Sequence, residues 1–260
     1  MRASDRLQPL IWQAHVQLRK SEFLRSLVHL ARSLVPLSRA HHMRKEVLFW
    51  RRWFVTGGLA WPDDYAMRLN PKAPVEDHLA KIMDRLPGQQ VDLLDVGAGP
   101  LTVVGKVHPS KKLRITATDP LARDYDELLA EFGIEPAART IFAEAEKLRE
   151  HLGDRQFDIV HAQNSLDHSA DPVAGLEQML SVTRPGGFVV LLHEENEGKN
   201  ELYHALHQWD FTTENGDFIV GGPGPNGPRR NATTILADRA KVECTLCDGK
   251  LLVVMQKSSS

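Results

Sequence analysis

A chain of 260 residues with 42% apolar and 25% charged residues has the balance of a polypeptide able to bury a core, and its length suits one generous α/β domain or one domain with an appendage. These proportions exclude the disordered, collagen-like and disulfide-scaffold classes. The longest run without Asp, Glu, Lys or Arg, Leu7 to Leu18, is well short of the ~20 apolar residues of a membrane span. No signal-peptide pattern opens the chain, and its two cysteines, Cys244 and Cys247, read as reduced thiols, so a cytoplasmic protein is expected.

The net charge of −2 conceals an asymmetry. Residues 1–56 hold eleven Lys or Arg against Asp5, Glu22 and Glu46, a local charge of +8, which leaves −10 for the remainder. Such a segment either meets something anionic, a membrane surface in peripheral contact among the choices, or presents a solvated helix face. Leu7, Ile11, Ala14, Leu18, Leu24, Val28 and Ala31 form a near-heptad stripe; Pro9 suits its first turn and Pro36 stops it. Burial of that stripe is expected on the following domain or on the same face of a second copy, as in a homodimer. A second helix is predicted from Ser38, a good N-cap, to about Val55, ended by Gly57 and Gly58, with Met43, Val47, Trp50 and Phe54 on one face. Trp61-Pro62-Asp63-Asp64 reads as a turn, and Asn70-Pro71 as a linker into a helix near Val75–Leu86. Residues 1–70 are therefore taken as a basic helical extension and 71–260 as the main domain.

From Val91 short apolar runs alternate with helical patterns, the signature of βα units and a parallel sheet. Strands are predicted at Val91–Val96, Leu113–Thr118, Thr140–Ala143, Phe157–Ala162 and Phe188–His193, with helices around Leu101–Val107, Leu121–Phe132, Glu144–His151 and Pro172–Thr183. After a long irregular stretch, Lys241–Cys247 and Leu251–Lys257 flank Asp248-Gly249, a hairpin signal. The fold expected is a Rossmann-like, doubly wound α/β sheet of seven strands: five parallel strands closed by an antiparallel hairpin. Cys244 and Cys247 lie three apart on a strand and point to opposite faces, which argues against a zinc or redox pair.

Val91-Asp-Leu-Leu-Asp-Val-Gly-Ala-Gly-Pro100 carries the most chemistry. A buried strand delivers Asp95 to a tight turn at Gly97 and Gly99, where glycine admits a ligand to the backbone and a following helix would add its N–H groups. The next strand ends at Asp119, twenty residues past Gly99, the spacing at which an acid can hold both hydroxyls of an adenosine ribose. A nicotinamide fingerprint needs a third glycine where Thr102 stands, and Pro100 follows Gly99, so a dehydrogenase is disfavoured.

On these residues the chain resembles the class I S-adenosylmethionine-dependent methyltransferases, within them the group that includes the ubiquinone-biosynthesis methyltransferases, over roughly Val75 to Lys257. Leu94-Asp-Val-Gly-Ala-Gly-Pro100 is similar to the glycine-rich first motif, and Ala117-Thr-Asp-Pro120 to the second, with its ribose-binding acid. Phe142-Ala-Glu-Ala-Glu-Lys-Leu148 resembles the third, Phe157–His168 the fourth, and Arg184-Pro-Gly-Gly-Phe-Val-Val190 the turn into the fifth strand. The resemblance implies S-adenosylmethionine as cofactor, held by Asp95, Gly97, Gly99 and Asp119, with Glu144 on the adenine amino group, the Ala145 backbone at the ring edge and Asn164 beside the methionine portion. Glu144 stands where Asp is commoner, and Pro100 stiffens the first loop.

Methyl transfer from a sulfonium demands alignment in a dry pocket, and an oxygen nucleophile gains from a base near pKa 7. His168, just past the fourth strand, either acts as that base or caps the loop ahead of Asp171-Pro172, and Asp167 is placed to orient a histidine. Asp167 with Glu194 or Glu195 would suit a divalent cation, but the expectation is no metal, with these carboxylates as loop hydrogen-bonders. His204 and His207, three apart on an expected helix, would line substrate, bind metal or lie at the surface. Trp209 and Phe211 offer flat faces for a ring or pack in the core. The loop Gly221–Pro228 before Arg229-Arg230 either covers the site mouth or merely connects. The function expected is O-methylation of a sugar-containing or other small hydroxylated metabolite, a small molecule or glycan, with no nucleic-acid partner. C-methylation of a quinone or polyketide-like ring, and a non-catalytic cofactor-binding assembly protein, are the alternatives.

Overall fold

The structure is a computed structural model that describes residues 38–259. The amphipathic helix read from Leu7 to Ala31 lies outside the described residues. The chain divides into two compact units, with the division between Met67 and Arg68. Among the described residues no helix is long and apolar enough to cross a membrane.

In the first unit, α1 (Arg39–Thr56) starts and stops where its sequence directs. The Ser38 hydroxyl accepts the His41 N–H at 3.3 Å, and Gly57 closes the helix in the left-handed conformation at φ 67°. Beside Phe54, the buried anchor is Trp53, off the expected face; its ring meets Trp50 and Phe54 edge-on and lies tilted on Tyr65 with centroids 4.7 Å apart. Trp61–Asp64 is not a turn. Pro62 opens α2 (Pro62–Leu69), because proline lacks only an N–H that the first helical position leaves unpaired, and Asp63 and Asp64 favour the positive helix end.

The second unit runs through α3 (Asp77–Arg85), β1 (Gln90–Val96), β2 (Lys112–Thr118), α4 (Ala122–Phe132), β3 (Thr140–Ile141), α5 (Leu148–Leu152), β4 (Phe157–Gln163), α6 (Pro172–Ser181), β5 (Thr183–Glu194), α7 (Glu197–Asn200), β6 (Asp210–Glu214), β7 (Asp217–Gly221), β8 (Arg229–Asn231), α8 (Ala232–Leu236), β9 (Ala240–Cys247) and β10 (Lys250–Lys257). The main sheet has the order β3-β2-β1-β4-β5-β10-β9; the first five are parallel and β10 is antiparallel to both neighbours, as expected. Alternate residues feed two cores. Val91, Leu93, Ile159, Phe188 and Val190 pack with Leu79, Ile82 and Met83 of α3, while Leu94, Val96, Val160, Ala162, Val189 and Leu191 pack with Leu176, Met179 and Leu180 of α6. Cys244 and Cys247 are unpaired, the second exposed.

Two segments depart from expectation. No helix follows β1: residues 97–111 form turns and an extended strap. The β-branched Thr102, Val103 and Val104, with Pro100 and Gly105, are poor helix formers, and the backbone is better satisfied elsewhere. Lys106 and Val107 N–H groups donate to the Ala73 carbonyl at 2.7 and 3.0 Å, and Val75 N–H donates to Val107 at 2.9 Å. The stretch after β5 is not irregular throughout either. Strands β6, β7 and β8 form a separate antiparallel sheet whose Phe211, Phe218 and Val220 join the α6-side core.

The strap approaches so closely that a Cβ at Gly105 would lie 1.9 Å from the Pro74 carbonyl oxygen. Gly105→Ala is expected to cost about 1–3 kcal/mol of stability through backbone displacement, measured as a lowered denaturant midpoint; an unchanged midpoint would show that the strap yields freely.

Candidate active site

Open parallel sheets bind ligands at the carboxyl ends of their strands, where the strand order reverses. Here that point lies at β1, flanked by β2 and β4. Gly97 and Gly99 take φ of 70° and 66°, and a Cβ on Gly97 would fall 2.5 Å from the Ser165 Cβ, so glycine is required there for both conformation and space. The Asp119 carboxylate accepts the Gly99 N–H at 3.2 Å and the Leu121 N–H at 2.8 Å, which fixes it against the glycine turn. Glu144 pairs with Lys147 at 2.7 Å, Ala145 opens a short 3-10 turn, and beside them the Phe142 ring is 47% exposed. Asn164, at φ 44°, accepts the Glu194 N–H through its side chain at 3.0 Å.

Asp95 faces away from the turn, into the α3 side. One carboxylate oxygen accepts the Thr102 hydroxyl at 2.6 Å and the other meets His161 Nδ1 at 2.9 Å, with both residues of that second pair fully buried. Thr102, the residue in place of a third glycine, therefore ties the strap to β1. The His78 ring lies 6.5 Å from the His161 ring, and burial, reinforced by the charge of His161, drives its pKa down to about 4.

The second concentration of chemistry lies just past β4. Leu166–His168 form a 3-10 turn that places Asp167 at 1% exposure and leaves His168 partly buried. Neighbours in sequence seldom meet, yet Asp167 Oδ2 and His168 Nε2 are 3.4 Å apart, because both converge on His207. His207 Nδ1 lies 3.0 Å from Asp167 Oδ2 and 3.1 Å from His168 Nε2. His193, at the end of β5, lies behind the carboxylate with Nδ1 3.7 Å from Asp167 Oδ1, and Glu197 Oε1 is 3.7 Å from His207 Nδ1.

Burial alone would raise Asp167, but the charges of His168, His207 and His193 and the His207 hydrogen bond hold it below the usual carboxylate range. Burial opposes charge on His207 too, yet Asp167, with Glu197 and Glu201, lifts it to about 9. Burial and the charge of Asp167 push Glu197 up to about 8, and burial drives His193 down to about 4.

The residues 201–209 are not the helix expected for His204 and His207. Leu202, Tyr203 and Ala205 take positive φ, and the Gln208 amide holds the loop by donating to the Tyr203 and Ala205 carbonyls at 2.7 and 3.0 Å. His207 thereby turns to Asp167. Trp209 and Phe211 are buried in the core, and the Trp209 indole N–H donates to the Ser169 carbonyl at 3.0 Å. Arg230 grips Asp171, the N-cap of α6, through two bonds of 2.8 and 3.2 Å and lies over the Trp209 ring. The Gly221–Pro228 loop joins β7 to β8 and packs on this corner, where Gly224 N–H donates to Gln208. Glu195, considered with Asp167 for a cation, instead accepts the Thr212 hydroxyl. Sequence reasoning missed the parts played by His193 and Glu197. An isolated histidine inside an apolar strand was the one available signal for His193.

Residues 94–189 match the family model described as a methyltransferase domain. No curated protein matches the chain. Among solved structures, the carbon methyltransferase of CurJ is 18% identical over 70% of this chain and 52% of its own, with a TM-score of 0.49. The CMeT domain of the citrinin polyketide synthase is 16% identical over 80% and 53%, at 0.50, and an O-methyltransferase family protein from Burkholderia thailandensis is 14% identical over 80% and 59%, at 0.48. The chain thus spans about half the length of the first of these structures. At such identities the likeness is one of fold.

The depressed pKa of His78 has a measurable consequence. As pH falls from 6.5 towards 4 the unfolded chain gains a proton on His78 that the folded chain refuses, so the folded state loses stability across that window and keeps it above. His78→Gln is expected to flatten the fall in thermal midpoint over this range; a slope identical to that of the parent chain would contradict the assignment.

Proposed function

We propose that this chain, whose residues 94–189 match a methyltransferase domain, is a class I S-adenosylmethionine-dependent enzyme that transfers the methyl group to a hydroxyl of a small hydroxylated metabolite, sugar-containing acceptors included. The observation that carries this reading is the convergence of Asp167, His168 and His207 on one point beside Asn164, at the end of the strand where the methyl donor meets its acceptor in this class. When bound, the cofactor supplies an electrophilic methyl on sulfur; the acceptor oxygen forms the new C–O bond as the C–S bond breaks and its electron pair stays on sulfur.

The chain's own residues fit the cofactor. The turn at Gly97 and Gly99 holds both glycines in the left-handed conformation, and Asp119, oriented by Gly99 and Leu121, is a carboxylate able to take a ribose diol. The apolar surface of Phe142 and Ala145 suits adenine, with Glu144 for its amino group. Asp95 supports this arrangement from beneath by holding Thr102 and the strap. At the acceptor side, the cluster of Asp167, His168 and His207 takes up the hydroxyl proton, while Trp209 and Phe211 are buried nearby, Phe211 edge-on to His193.

Asp119→Ala is expected to remove charge-assisted hydrogen bonds worth about 1.5–3 kcal/mol each and so to weaken cofactor binding by roughly tenfold or more; unchanged affinity by calorimetry would remove Asp119 from the site. The function itself is tested by incubating the protein with S-adenosylmethionine and a panel of small hydroxylated compounds, following S-adenosylhomocysteine and locating the new methyl by NMR. An O-methyl product is expected, with kcat lowered about 10²–10⁴-fold in His168→Ala at unaltered cofactor affinity. A methyl on carbon would establish the ring C-methylation alternative, and binding without any turnover the assembly-protein alternative.

A further inference from the structure

Hydrogen bonding alone serves the Asp167 cluster poorly. Asp167 Oδ2, His168 Nε2 and His207 Nδ1 form a nearly equilateral triangle with sides of 3.0, 3.1 and 3.4 Å. Each imidazole nitrogen carries either one in-plane proton or one in-plane lone pair, so His207 Nδ1 has a single direction with which to answer two neighbours. One proton cannot point at both. A cation at the centre of such a face answers all three at once: donors held about 2.0–2.2 Å from a common ion stand about 3.0–3.4 Å from one another.

A second feature points the same way. Asp167 Oδ1 is buried with no hydrogen-bond partner among the described residues, and so are both ring nitrogens of His193, whose side chain is 2% exposed and faces that oxygen. Buried carboxylate oxygens and imidazoles ordinarily find partners. Here a carboxylate at 1% exposure is flanked by the buried His193 imidazole, and its outward oxygen is directed at two further imidazoles. The chain also accepts three left-handed residues, Leu202, Tyr203 and Ala205, to bring His207 to this point.

We propose that Asp167, His168 and His207 bind a divalent first-row transition ion, with His193 positioning the carboxylate from behind. Two imidazoles and one carboxylate on one face suit Zn²⁺, Mn²⁺, Fe²⁺ or Co²⁺ better than Mg²⁺, which prefers oxygen donors. The opposite face of the ion takes water or one or two oxygens of the acceptor. Bound there, an acceptor hydroxyl would lose its proton to solvent water near neutral pH, as metal-bound water does. This use of the ion rests on the O-methylation reading; the ion's binding does not. The site differs from that considered in the sequence, Asp167 with Glu194 or Glu195, since Glu195 is engaged by Thr212.

The test is titration of the chelator-stripped full chain with Co²⁺, followed by visible d–d absorption and calorimetry. One equivalent is expected to bind, with bands of low-symmetry nitrogen and oxygen ligation. His207→Gln and His168→Gln should each weaken Co²⁺ binding at least about 10–100-fold, the loss typical of even indirect contacts to a metal. Retained S-adenosylmethionine binding shows that each variant is folded. Absence of Co²⁺ binding, or equal affinity and spectrum in His207→Gln, would overturn the proposal. Two outcomes separate it from the function reading: Co²⁺ bound at this site without O-methylation of any acceptor overturns the function and leaves the ion site standing, whereas full O-methylation in chelator with no Co²⁺ bound overturns the ion site alone.

Discussion

A carboxylate removed from water costs several kcal/mol unless charge or hydrogen bonds compensate it, and Asp167, at 1% exposure, sets that demand at the end of β4. Much of the surrounding architecture can be traced to meeting it. The 3-10 turn keeps His168 within reach, β5 delivers His193, and the long loop after α7 returns His207. That loop needs an anchor of its own. The three-stranded sheet supplies one, because Arg230 of β8 holds Asp171 at the head of α6 while Trp209 bonds to Ser169. The small sheet thus positions a single imidazole opposite a single buried acid.

The segment after β4 also joins the two halves of the site. Ser165 donates its hydroxyl to the Val96 carbonyl at 2.9 Å and fills the space beside Gly97, while Asp167 lies two residues further on. One short stretch of backbone therefore touches the glycine turn through Ser165 and contributes Asp167 and His168 to the histidine cluster. On the proposed function, the separation between the methyl donor and its acceptor would be set by this short stretch of backbone and by the contacts of Ser165 with Val96 and Gly97, which suits an in-line displacement.

The sheet was legible in the sequence because its central strands are largely buried and read as short, predominantly apolar runs bounded by turn residues. The glycine turn and Asp119 were legible because their spacing follows from strand, turn and crossover. The helix expected over Leu101–Val107 was not formed, since apolar residues at helical spacing also describe a buried strap, and Lys106 and Val107 pair with Ala73 and Val75 instead. The small sheet escaped notice because β6, β7 and β8 have only five, five and three residues. His207 was visible as a candidate, but its partners depend on a loop held by Gln208 and Tyr203, a tertiary arrangement no local pattern encodes. Trp61–Asp64 failed for a different reason: Pro followed by two acids begins a turn or a helix with equal economy.

The strap after the glycine turn bears on where this domain begins. A parallel bridge joins Pro74 to Val107, and Ala73 accepts two N–H groups from the strap. Residues 73–75 precede the first helix of the α/β unit and would look like dispensable linker. They instead complete the backbone pairing of the segment that carries Thr102, and through it Asp95 beneath the glycine turn. A shortened or fused form of the domain that keeps the turn in shape must therefore start before Ala73, not at Asp77, where the regular secondary structure sets in.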